Sequence, residues 1–139
     1  MSFGKLSHLP RLFLSLFLLN ACAPTTSAEL RATPGETAKF DVRLPLKQVY
    51  QNFINKINQC YVYRSKYGSL IKKEVVPGQY YIVEYFISTL GVQFSIDLRQ
   101  NDDSTTVTYF KDAGFAAGYL SFYNFHQIMI DIANDQNDC

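Results

Sequence analysis

The sequence predicts an α+β fold in the order β-α-β-β-β-β-α, an antiparallel sheet with two helices packed on one face. Three observations carry that prediction. A single alternating strand runs into an apolar stripe of helical period. Four further strand-like runs are separated by turns too short for parallel crossovers. The last segment places polar residues at steps of three or four and is apolar elsewhere.

Ala38 to Leu44 alternates, with Phe40, Val42 and Leu44 on one side and Lys39, Asp41 and Arg43 on the other. This is the pattern of a half-buried strand. Pro45 suits a first helical position. Leu46, Val49, Tyr50, Phe53, Ile54 and Ile57 then recur at helical spacing, and Cys60 continues the stripe. Tyr61 to Ser69 reads as a connector and Leu70–Val76 as a strand. Pro77-Gly78 is a turn, with Gly in the corner that needs a positive φ. Tyr80–Ser88 is a strand interrupted only by Glu84. Val92–Arg99 alternates throughout, Asn101–Ser104 is a polar hairpin loop, and Thr105–Lys111 is β-branched and aromatic. After a small-residue connector, Gly114–Gly118, a helix is expected from Tyr119 to Asn134. Its polar stripe is Ser121, Asn124, Gln127, Asp131 and Asn134. Asp41, Arg43, Gln93, Ser95, Asp97 and Arg99 are expected on a solvent-facing side of the sheet. No internal repeat is present.

The first 22 residues have a different logic. Lys5 and Arg11 precede the apolar run Leu12–Leu19, and Ala21-Cys22 closes it. The run is too short to cross a bilayer, which needs roughly 20 apolar residues. A basic start, a short apolar core and a small-residue cut site describe an export signal. Leu19-Asn20-Ala21-Cys22 resembles the lipobox of bacterial lipoproteins, with Asn20 where a small residue is usual. The resemblance implies cleavage before Cys22, a diacylglycerol group on its sulfur, and attachment to a membrane outside the cytoplasm. Ala23, where an Asp would imply inner-membrane retention in Gram-negative lipoproteins, implies the periplasmic side of the outer membrane if the source is Gram-negative. Simple secretion after Thr26-Ser27-Ala28, without lipid, is the alternative. The expected division is therefore a signal peptide over 1–21, a flexible tether over 22–37, and one α+β domain over 38–139.

Composition narrows the function. Removing Lys5 and Arg11 from 13 basic side chains leaves 11 against 12 acidic ones, a net charge of −1. No nucleic-acid partner is indicated. If Cys22 is acylated, Cys60 and Cys139 remain in an oxidising compartment, where a disulfide between them is expected. Two free thiols are the alternative.

The element order over 38–135, with a last helix against a curved sheet, resembles helix-grip and TATA-binding-protein-like folds. Among these are the domains of the β-barrel-assembly lipoprotein BamC and small START-like domains. The resemblance rests on element order and carries no functional residue. It implies a groove between sheet and last helix that takes a protein or an apolar ligand.

Catalytic chemistry is not indicated. His126 is the only His downstream of the signal segment. It pairs on paper with Asp131 and any Ser, but no Gly-x-Ser-x-Gly elbow exists. No His/Cys spacing fits a metal site, and no cofactor motif is found. Gly114–Gly118 lacks the pattern of a phosphate cradle. The basic and aromatic group Arg64, Lys66, Lys72, Lys73, Tyr61, Tyr63 and Tyr67 is a candidate for a headgroup or glycan. Tyr119, Phe122, Tyr123, Phe125 and His126 are candidates for binding on the last helix. The expected function is a lipid-anchored module that binds an envelope protein. A carrier of an apolar ligand beneath the last helix is the alternative, and a secreted enzyme a weaker one.

Overall fold

A computed structural model describes residues 24–115 and 124–136. The chain is α+β, with a five-stranded antiparallel sheet and helices packed on it. The elements are α1 (Ser27–Ala32), β1 (Glu36–Val42), α2 (Leu46–Ile57), β2 (Gly68–Val76), β3 (Tyr80–Ile87), β4 (Gly91–Asn101), β5 (Ser104–Lys111) and α3 (Phe125–Ala133). A π-helical turn, Asn58–Val62, extends α2.

The strand order is β1-β5-β4-β3-β2. Three tight turns build the β2–β5 meander. Gly78 takes φ 65° after Pro77, and Asp102 takes φ 50° in the β4–β5 hairpin. β1 then pairs with the last strand, Phe40 opposite Val107 and Ala38 opposite Tyr109. The α2 segment therefore carries the chain from one sheet edge to the other. Its first turn is held from below, because Gln100 Oε1 accepts from Leu46 N at 3.2 Å. Pro45 is the residue before the helix rather than its first position; its ψ of 145° is extended.

The helical stripe closes one face of the sheet. Leu46, Val49, Phe53, Ile54 and Ile57 pack with Val83, Phe94, Ile96, Leu98, Val107 and Tyr109. Ile128, Met129 and Ile132 of α3 join them. Asn52 Nδ2 donates to the Ala133 carbonyl at 2.9 Å, tying α2 to the end of α3. Cys60 and Tyr61 both turn inward from the π-helical turn, and Cys60 is disulfide-bonded. Its expected partner, Cys139, lies outside the described residues.

Besides Pro45 and the last helix, which starts at Phe125 after its extended Asn124 cap and not at Tyr119, two expectations need correction. The composition of residues 22–37 predicts a tether, but Ser27–Ala32 is a helix docked on β4 and β5, with Leu30 fully buried, and β1 starts at Glu36. A capping box makes this local. Glu29 N donates to Thr26 Oγ1 at 3.2 Å, and Thr26 N donates back to Glu29 Oε2 at 3.1 Å. The second correction follows from the first. The alternation of β4 predicts Gln93 and Ser95 on a solvent-facing side, but both are buried on the face that α1 partly covers.

Candidate interaction surface

The space between the sheet and the helices is filled with rings. Phe94 is stacked on Tyr85 at 5.3 Å between ring centroids. It also meets Tyr61 at 5.5 Å, Phe115 at 5.5 Å and Phe125 at 5.7 Å. Separations of 4.5–7 Å in tilted or offset geometry are those aromatic pairs prefer. Phe125 is thus a buried core residue. His126 is half-buried and lies edge-on to Phe40 at 5.5 Å, with Tyr109 5.9 Å away. Asp131, the acid that pairs with it on paper, accepts from Gln127 Nε2 at 2.8 Å. Tyr119, Phe122 and Tyr123 lie outside the described residues. Tyr109 donates to Glu36 at 2.6 Å; burial, then that carboxylate, pushes its phenol upward.

The opposite face carries charge. Glu84 projects from the middle of β3 with its side chain only 2% exposed. Arg31 of α1 reaches it at 3.5 Å, and Lys73 of β2 at 3.4 Å. Ser95 Oγ donates to the same carboxylate at 3.3 Å. Arg31 also donates to Ser95 Oγ at 2.8 Å and to Asp97. Tyr80 OH donates to Asp97 at 3.0 Å, and its own phenol is pushed up by burial and then by that carboxylate. The Arg99 guanidinium lies 3.7 Å above the Tyr80 ring. Two carboxylates thus sit among cations supplied by three elements. Such a cluster ties α1 to the sheet, since an unpaired buried charge is costly.

β1 and β2 are the two edge strands of the sheet, and the exposed large hydrophobics of its strands lie on the outer edge of β2. Among the described residues no strand pairs with it. Ile71, Val75 and Val76 are exposed large hydrophobics along it. Opposite residues share a face, so Ile71 and Lys73, facing Glu84 and Ile82, lie on the α1 side. Lys72, facing Val83, lies on the helix side. Glu74 is held by Gly78 N at 2.9 Å and Tyr81 OH at 2.7 Å; these bonds, the first foremost, lower its carboxyl pKa. A register shift between Glu74 and Val76 marks a bulge, a common device for bending an edge.

The predicted basic and aromatic group is divided by the fold. Tyr61 is buried, Lys73 joins the Glu84 cluster, and Tyr63, Arg64, Lys66 and Tyr67 lie on the exposed connector before β2. Leu30 and Arg31 lie outside the residues that the sequence pattern singles out. The signal for them was present as Thr26-Ser27-Ala28-Glu29, a capping-box spacing followed by Leu30. Among the described residues no group of three or more His, Cys, Asp or Glu is arranged to hold a metal, and no helix is long and apolar enough to cross a membrane. Comparison with protein-family models and with curated proteins finds no match to this sequence.

Proposed function

We propose that this chain is a lipid-anchored interaction module of the bacterial envelope, on the periplasmic side of the outer membrane. It captures an extended segment of an envelope protein as a sixth strand on β2. The observation that carries the reading is the outer edge of β2, an exposed strand bearing Ile71, Val75 and Val76. Main-chain hydrogen bonds supply affinity in such strand addition, and alternate side chains supply selectivity. Lys72 is exposed on this edge, beside the apolar positions. The fitting partner therefore alternates apolar residues with an acidic one.

The anchor rests on the lipobox-like Leu19-Asn20-Ala21-Cys22. The docking of α1 supports the cut before Cys22 over the cut after Ala28. The latter would remove Thr26, and with it the side chain that caps the helix. The ring-filled space beneath α3 gives the carrier reading no comparable support.

Photo-crosslinking from Ile71 and from Lys72 in the full-length chain in cells tests the proposal. The expected adducts fall within one segment of one envelope protein, those from Ile71 and those from Lys72 on residues of opposite faces. A peptide of that segment then binds the purified protein, and Ile71→Glu weakens it about tenfold, or roughly 1.4 kcal/mol. Adducts no stronger than those from Lys47 on α2 would overturn the proposal, as would adducts only to a second copy of the chain.

A further inference from the structure

One end of the sheet gathers the start of the described chain and a set of exposed aromatic, apolar and basic side chains. Pro24 is clamped there, since Val92 N donates to its carbonyl at 3.0 Å. Gly91 makes the clamp possible: its φ is +80°, and a Cβ on it would stand 2.3 Å from the Pro24 oxygen. The Thr25 hydroxyl and amide both donate to Glu29, at 2.8 and 2.7 Å, so the segment is also fixed to α1. At the same end, Ser88 N donates to the Tyr67 carbonyl at 3.1 Å, which brings the β3–β4 turn beside the connector before β2. Leu90 and Tyr67 are both more than half exposed, and Tyr63 is 86% exposed. Lys66 Nζ lies 5.7 Å over the Tyr67 ring, and Arg64 is adjacent in the connector.

A single residue, Ala23, separates Cys22 from Pro24. Two Cα–Cα steps span at most about 7.6 Å. The interfacial layer of one bilayer leaflet is itself roughly 5–8 Å deep. A lipid on Cys22 therefore leaves no room for a long tether.

We infer that this end of the sheet lies on the bilayer, with Leu90, Tyr67 and Tyr63 at the headgroup boundary and Lys66 among lipid phosphates. The inference rests on the lipid-anchor reading and adds an orientation to it. Tyr rings suit the boundary because one end is apolar and the other polar. Long basic side chains reach from apolar surface to phosphate in the same way. The membrane then holds the domain upright, and the β2 edge runs away from the surface.

The chain has no Trp, so a single introduced one reports its own position. The mature full-length protein is placed in phosphatidylethanolamine–phosphatidylglycerol vesicles containing bromine-labelled acyl chains. Leu90→Trp and Tyr63→Trp are compared with Asp103→Trp in the hairpin at the far end. All three positions are exposed, and thermal melts check that each variant folds. Emission is expected to fall about twofold or more at Leu90 and Tyr63, as for a side chain 5–10 Å into the boundary, and not at Asp103. Equal quenching at both ends, or none at either, would overturn the orientation. The mass of the mature protein reads the premise separately. An acylated Cys22 without selective quenching sinks the orientation alone, whereas an unacylated Cys22 sinks the anchor and the orientation with it.

Discussion

Glu84 is a charged residue in an apolar strand, and its surroundings explain why it can be there. It has two cationic partners and one hydroxyl donor, so its charge is satisfied without water. Removing one partner leaves the carboxylate buried and under-compensated. Breaking a buried pair costs about 3–5 kcal/mol, but Lys73 and Ser95 remain, and Arg31 is itself a quarter exposed. Arg31→Ala is therefore expected to cost roughly 2 kcal/mol. Adding Glu84→Gln should recover part of that loss, because the stranded charge is gone. Urea unfolding of the single and double variants measures both. Additive losses would show that the two side chains do not interact.

At the scale of the element, α1 has six residues and has little helical stability of its own. Its cap and its docked face hold it together. Glu29 accepts bonds from Thr25 and Thr26, and the Thr25 hydroxyl is the first cause of its lowered pKa. A carboxyl whose folded value is lowered adds stability above its ordinary value of 4.5 and loses it as pH falls through the folded value. Amide exchange in α1 should therefore quicken selectively as pH is lowered below that value. Exchange corrected for its intrinsic pH dependence measures this, and Glu29→Gln should flatten the response. A response unchanged by Glu29→Gln would remove the cap from the explanation. The β2 element makes the opposite case. It is long and mostly exposed, so its role is read from what it leaves unpaired rather than from what it buries.

For the molecule as a whole, the disulfide at Cys60 acts on the largest scale. Cys60 lies in the π-helical turn at the end of α2, next to the ring cluster around Phe94. A bridge to Cys139 would close about 80 residues, worth up to ~4.5 kcal/mol in the chain-entropy account. Thiol labelling of the denatured, unreduced protein is expected to find neither Cys60 nor Cys139 free. Cys139→Ser should lower the urea midpoint and free Cys60 for labelling. Label on Cys139 in the parent protein would refute that pairing.

The sequence by itself determined the elements whose period is local. Alternation through Phe40–Leu44 and Val92–Arg99, and the stripe from Leu46 to Ile57, follow from backbone geometry alone, so they specify type and inward face. The meander was legible because Pro77-Gly78 and the Asn101–Ser104 loop leave only hairpins possible. Tertiary structure alone decided the rest. Nothing local says that β1 pairs with β5, because that contact joins residues more than 60 positions apart. Nothing in β4 says that Gln93 and Ser95 are covered, since the cover is α1, from the stretch that composition assigned to a tether. Polar side chains mark a surface in a local pattern, but a distant partner such as Arg31 can satisfy them and bury that surface. Likewise, the docking of Pro24 at the sheet end depends on Gly91 admitting its carbonyl, a contact between segments far apart in the chain.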